Sequence, residues 1–527
     1  MNRRSMTIEI RVDPADLRRW HRRVVEVLAA TAGITVHLTP TPRRLPAAAG
    51  LDLLFTLERL THRGLAETAA DRLDGDTFTR FVGPERPVDL VVDLGCDGDV
   101  PSRGAHLAVD CGGLPPLDGA VAAILAGETP VLTARLRVDG RARTLARWSL
   151  AIEDHRSALR SASMALGRAA HLVLASVEAL RATDDAEAVS LHLAEGEGTA
   201  PPVSMIAATG FVVRTLSARI ADRLTRLSNG APTWATAWRR RDAATPSDRF
   251  ELDPTPFRFL PDDGRRFYAD PFLLADAGRL HLFCEEFPFA TGKGVISVAT
   301  LGENGTFGPV RPVLELDCHL SYPHVFAHAG RVWMVPETSG RRTVELWVSD
   351  RLPDRWSPHS VLLDDVDLAD ATLAEIDGTW WLFGASREPW TSSWEALSIW
   401  SAPAPTGPWT PHPGNPTIVD ARAARPAGAA FRTAEGWFRP VQDCGRGYGA
   451  GLAVARLAEL DAHGHRETVI RRIAAPPLTG LHTWNRAAAG DATFEVIDLH
   501  GPRAALVGAR RLDLAVTDVR TPPAEHG

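Results

Sequence analysis

Two aspartates stand where apolar strands begin. Asp270 lies in "FYADPFLL" and Asp370 in "LADATLAEI". A carboxylate there either accepts N–H bonds from a turn or is aimed at a ligand. Two of them across one pocket form an acid/base or base/stabiliser pair for glycosidic chemistry. Further acids follow in "LFCEEFPF" (Glu285, Glu286) and "VPETSGRR" (Glu337), with Glu286 and Glu337 at nearly the same place in successive segments. Asp270, Asp370, Glu337 and Glu286 are the catalytic candidates. Arg425, His324 and His482 would converge with them, and Phe267, Tyr322 and Trp484 offer flat apolar faces. Such a set suits a polyhydroxylated ligand. No metal is assigned, because a hydrogen-bonded role accounts for both histidines.

The elements that would position these residues repeat. "DPFLLADAGRLHLFCEE", "PHVFAHAGRVWMVPET", "ATLAEIDGTWWLFGAS" and "AGAAFRTAEGWFRPVQ" are each a strand, a turn ending in glycine and an aromatic-rich strand. The turn glycines (Gly278, Gly330, Gly378, Gly436) recur about every 50 residues, and a third strand follows each unit, which is the grammar of a β-propeller. A weaker fifth unit, 478–501, has Gly490 at its turn. "TWATAWRR" (233–240) is placed to close the ring. A five-bladed propeller is expected over 231–503, with a C-terminal tail at 504–527.

The first part reads as α/β. "MTIEIRV" and "ITVHL" are strands around a helix with Asp13 as N-cap and Pro14 at its first position. "VDLVVDLGC" is apolar enough to be covered on both faces. Residues 1–205 are expected to form a Rossmann-like layer, and 206–230 a helical linker. In "FVVRTLSARIADRLTRL", Val212, Leu216, Ile220 and Leu224 form a stripe. It is expected to pack on a neighbouring domain; a membrane-surface helix is the alternative.

The formal net charge of −7 over 527 residues excludes binding to nucleic acid through bulk charge. Five cysteines lack metal-ligand spacing and read as reduced thiols of a cytoplasmic protein. No signal sequence or integral membrane segment is expected, nor any cofactor.

The stretches "FYADPFLL", "LFCEEFPFATGKGVISVA", "HLSYPHVF", "VPETSGRRTVELW", "DATLAEIDGTWWLF", "ARPAGAAF" and "RPVQDCGRGYG" resemble the N-terminal domain of plant glucosamine inositolphosphorylceramide transferases and their bacterial relatives. That family is similar to the five-bladed propellers of arabinanase- and xylosidase-type glycoside hydrolases. The resemblance implies a general base at Asp270 and a pKa modulator at Asp370. The general acid it implies in the fourth blade is missing, since Ala424 and Arg425 stand there. In the plant proteins, sugar transfer is attributed to a later glycosyltransferase domain, and no such domain is expected within these 527 residues. "PVDLVVDLGC" and "AHLAVDCGGLPPLDG" more faintly resemble a formyltransferase-like domain. His106 is present, but the family's signature is not, so a degenerate, non-catalytic domain is expected.

The expected function is carbohydrate-active: a sugar of a glycan or glycolipid bound in the channel, with glycosyl transfer or hydrolysis as its chemistry. The alternative is a non-catalytic glycan-binding module beside a separate glycosyltransferase.

Overall fold

The computed structural model describes residues 4–43, 51–61, 67–82, 87–95, 104–183, 189–195, 203, 205–229, 232–242, 257–261, 263–508, 512 and 514–519. The chain divides into two compact units, Met1–Ile220 with Glu388–Ser392, and Ala221–Arg387 with Ser393–Gly527.

The first unit holds a six-stranded mixed sheet. Its strands are β1 (Met6–Val12), β2 (Ile34–Pro40), β3 (Leu90–Asp93), β4 (Ala105–Cys111), β5 (Val131–Val138) and β6 (Arg141–Ser149), in the order β2-β1-β3-β4-β5-β6. The first four are parallel and the last two antiparallel. Helices α1 (Arg19–Ala30), α2 (Leu51–Thr61), α3 (Pro116–Ala126) and α4 (Ala158–Arg181) belong to this unit, and α5 (Met205–Asn229) begins in it and continues past the end of its first segment at Ile220. Helix α1 starts later than the sequence suggests. Asp13 accepts the Ala15 N–H and makes a turn, and Arg18 is the N-cap, its N–H donating to His21 Nδ1 at 3.1 Å. Helix α3 lies so close to β4 that a Cβ on Gly119 would meet Cys111 O at 1.9 Å. At the crevice between β1 and β3, Arg18 pairs with Asp16 at 2.8 Å, and Arg43 pairs with Asp16 and Asp118.

The second unit is a five-bladed propeller. Before the first blade run β7 (Pro232–Asp242) and β8 (Arg258–Phe259). Blade one is β9 (Arg266–Asp276), β10 (Arg279–Pro288), β11 (Val295–Thr300) and β12 (Arg311–Leu314). Blade two is β13 (Ser321–His328), β14 (Arg331–Thr338), β15 (Thr343–Arg351) and β16 (Arg355–Asp364). Blade three is β17 (Leu368–Ile376), β18 (Thr379–Ser386), β19 (Ala396–Ala402), β20 (Thr410–Pro411) and β21 (Ile418–Val419). Blade four is β22 (Phe431–Thr433), β23 (Gly436–Asp443), β24 (Gly451–Leu460) and β25 (His465–Ala474). Blade five joins β26 (Trp484–Ala489) and β27 (Ala492–Pro502) to β7 and β8, so the strand before the first blade closes the ring. After a short helix α6 (Arg503–Gly508), β28 (Ala515–Asp518) pairs with β25. The segment read as a tail thus adds a strand to blade four.

The repeat has a backbone cause. β9–β10, β13–β14 and β17–β18 are joined by two-residue turns in which both residues have positive φ: Ala277–Gly278, Ala329–Gly330 and Asp377–Gly378. This is the turn whose twist matches that of paired strands. Cores lie between neighbouring blades. Trp238 and Phe494 of blade five, for example, pack with Leu273 and Leu282 of blade one.

Candidate functional site

The inner strands of the first three blades break register at one place. Strand β10 pairs Phe283 with Phe272 and Glu285 with Ala269, which leaves Asp270 and Pro271 bulged. The same break isolates Tyr322 and Pro323 in β13 and Asp370 and Ala371 in β17. Asp270, Tyr322 and Asp370 take left-handed φ values of 50°, 43° and 56°. Non-glycine residues there cost of order 1–2 kcal/mol each, so something must hold them.

Carboxylates of the preceding blade do. The Asp270 N–H donates to Asp498 Oδ2 at 2.9 Å, the Tyr322 N–H to Asp270 Oδ2 at 3.2 Å, and the Asp370 N–H to Glu337 Oε2 at 3.1 Å. Bonds from amides to ionised acceptors are among the strong ones. Much of the acid at the hub is therefore blade-to-blade stitching.

Two centres result. In the first, the Thr483 hydroxyl donates to Asp270 Oδ1 at 2.9 Å, and His482 Nε2 lies 3.6 Å from the same oxygen. His482 Nδ1 meets Asp498 Oδ2 at 2.6 Å, while Asp498 Oδ1 accepts the His482 and Thr483 amides. Burial disfavours charge on His482, but Asp498 and Asp270 outweigh it and raise the imidazole pKa. Burial raises the Asp270 carboxyl, with His482 opposing and Asp498 reinforcing the shift. Ligand atoms of Asp270, His482 and Asp498 all lie within 4.8 Å of one another. Each already has protein partners, so we read a hydrogen-bonded triad.

In the second centre, Asp370 Oδ2 accepts from Arg425 Nε at 2.6 Å and Gln442 Nε2 at 2.9 Å. Arg425 also reaches the Ser393 hydroxyl at 3.3 Å and the Tyr448 hydroxyl at 3.4 Å. Burial works against its guanidinium, and Asp370 more than offsets that. The two form a buried ion pair.

Tyr448 joins the centres. Its ring lies 5.3 Å from that of His482, 5.3 Å from that of Trp394 and 5.0 Å below the Arg425 guanidinium, and it is 38% exposed. Trp234 stacks on His482 at 3.9 Å. The loop carrying Tyr448 needs glycine: a Cβ on Gly449 would meet the His482 Cβ at 2.7 Å.

Asp270, Asp370, Glu337, Arg425 and His482 thus gather within electrostatic reach of one another. Other anticipated residues do not join them. Glu286 turns away, paired with Arg266 and with the Ser297 hydroxyl at 2.7 Å. Its neighbour Glu285 is the register equivalent of Glu337, since each pairs with the residue before a bulge. Glu285 lies beside His319 at 3.3 Å, and burial, with Asp270 and Glu337 next in effect, pushes its pKa well up. Tyr322 is fully buried, and its hydroxyl accepts the Gly428 N–H at 2.7 Å and contacts Thr372. His324 is a core residue at Leu373 O, its pKa lowered to about 4 by burial. Trp484 packs in the blade-four and blade-five core. Phe267 stacks on Phe287 at 4.8 Å.

Asp498, Thr483, Gln442, Tyr448, Trp394 and Trp234 were not singled out from sequence. The glycine-rich "CGRGYG" was the available signal for Tyr448. The others needed the blade-to-blade register.

Residues 262–500 match the family described as glucosamine inositolphosphorylceramide transferase 1, N-terminal. Glucosamine inositolphosphorylceramide transferase 1 of Oryza sativa subsp. japonica is 32% identical over 224 residues, 42% of this chain and 30% of that protein. Its Arabidopsis thaliana counterpart is 31% identical over 223 residues, covering 42% and 29%. The matched segment thus spans under a third of those relatives' length. Among solved structures, an exo-1,5-α-L-arabinanase from a bovine ruminal metagenomic library aligns with 50% of this chain and 96% of its own, at 15% identity and a TM-score of 0.34. Residues 262–500, which hold all of the five-bladed propeller but β7, β8, β28 and the end of β27, are thus similar to the N-terminal domain of glucosamine inositolphosphorylceramide transferases.

Proposed function

We propose that the propeller hub binds a sugar of a glycan or glycolipid and serves as the recognition part of a glycosyl-transfer system, beside a separate glycosyltransferase. The observation that carries this reading is the state of the carboxylates. Asp370 is engaged by Arg425 and Gln442, and Asp270 and Glu337 cap bulge amides. Groups so engaged are suited to hold hydroxyls in place. The exposed Tyr448 ring with its anchored hydroxyl supports a stacking role for a sugar face. Acids outnumber cations around it, which favours hydroxyls or an amine over a phosphate. Glucosamine and its inositol conjugates, from the relatives' names, are the first ligands to try.

One observation favours a second reading, chemistry on a glycosidic bond. Glu285 caps no bulge amide, and its raised pKa keeps a proton available among the other acids. It would supply the proton that Ala424 cannot, with Asp270 as base.

A glycan array combined with a sugar-nucleotide turnover screen, run on wild type, Asp270→Asn and Glu285→Gln, tests both. Binding without turnover is the expected result. Turnover lost in Glu285→Gln would establish the second reading, and no binding to any glycan would overturn the first.

A further inference from the structure

Of the α5 stripe that sequence expects to be buried, Val212, Leu216 and Ile220 are exposed, and the Leu224 side chain lies outside the described residues. The inner side of α5 is marked by buried Phe211 and half-buried Thr215 and Ala218. Ile206, Val212, Val213, Leu216 and Ile220 fall on an opposite arc of about 120° at helical spacing. All five are exposed, from 44% at Val212 to 85% at Ile206. Three exposed arginines accompany this arc: Arg219 borders one edge, Arg223 falls just inside that edge, and Arg214 lies well beyond the other. Arg214 also donates to Leu125 O.

The charge says what covers the stripe. Residues 205–229 contain four arginines and one acid, Asp222, in a chain of net charge −7. A second copy of α5 would bring like-charged edges together with too few acids to pair them. An anionic lipid surface matches both features, because aliphatic side chains enter the acyl boundary while arginines snorkel to headgroups. We propose that α5 seats this protein on an anionic membrane surface. The helix lies in the plane of the interface. No helix of the described residues is long and apolar enough to span a membrane. With no tryptophan in the stripe, the attachment is reversible.

The test is co-sedimentation of the full chain with vesicles of phosphatidylcholine alone, or with about one third phosphatidylserine. Wild type should bind the anionic vesicles at least about tenfold better and release in high salt. Leu216→Glu with Ile220→Glu should abolish binding. Arg219→Gln with Arg223→Gln should weaken it about fivefold per arginine and gives a reading should the first pair disturb folding. Equal binding to both vesicles, or undiminished binding of both variants, would overturn the proposal. So would a wild-type dimer, seen by light scattering, that Leu216→Glu with Ile220→Glu makes monomeric.

Discussion

At the scale of single residues, the hub is a set of charges that were expected to act on a ligand and that largely act on one another. Asp370 and Arg425 show the energetic consequence. Removing one member of a buried pair strands the other charge, at about 3–5 kcal/mol. Arg425→Met should lower unfolding free energy in urea by that amount, and adding Asp370→Asn should restore most of it. Protonation adds a pH dependence of defined sign. His482, Asp270 and Glu285 all have folded pKa values above their ordinary 6.5, 3.8 and 4.5. Their contributions to stability are complete below those values and are lost as pH rises through the folded ones. The stability contributed by these three groups should therefore fall as pH rises, and comparing wild type with a variant of each group isolates it. Glu285→Gln should be more stable than wild type at alkaline pH. His482→Gln should be destabilised near neutrality, by an amount that shrinks as pH rises. Asp270 and Asp370 were legible because each opens an inner strand. Glu285 was not, because strand alternation puts one member of an adjacent acid pair inward without saying which.

At the scale of elements, hairpins were legible and bulges were not. A glycine after each turn and alternating strands mark the hairpins. Two unpaired residues leave no trace in a pattern of period two, so the turn of Asp270, Tyr322 and Asp370 toward neighbouring blades appears only in register. The hairpins make a separate prediction. Ala329 holds φ of 51°, which alanine adopts at a cost and asparagine tolerates. Ala329→Asn should stabilise the propeller by about 0.5–1 kcal/mol, read as a higher urea midpoint with unchanged slope. The start of α1 was misread for a related reason: Asp-Pro signals both a helix cap and a turn, and only packing chooses.

At the scale of the molecule, the ring is closed by a strand far away in sequence. Strand β7 pairs along its whole length with β27, and its Trp238 packs against Phe307 and Phe494. Trp238→Ala should cost about 3–5 kcal/mol and loosen blades one and five, seen as faster amide exchange in β7, β9 and β27. Closure also brings Trp234 onto His482, so the strand that completes the fold helps to build the site. The central claim is that a sugar occupies this hub against Tyr448. Titration calorimetry of glucosaminyl-inositol with wild type and Tyr448→Ala tests it most directly. Saturable binding to wild type, weakened at least about tenfold in a variant of unchanged melting temperature, is the result this account predicts. Equal affinity of the two proteins would contradict it.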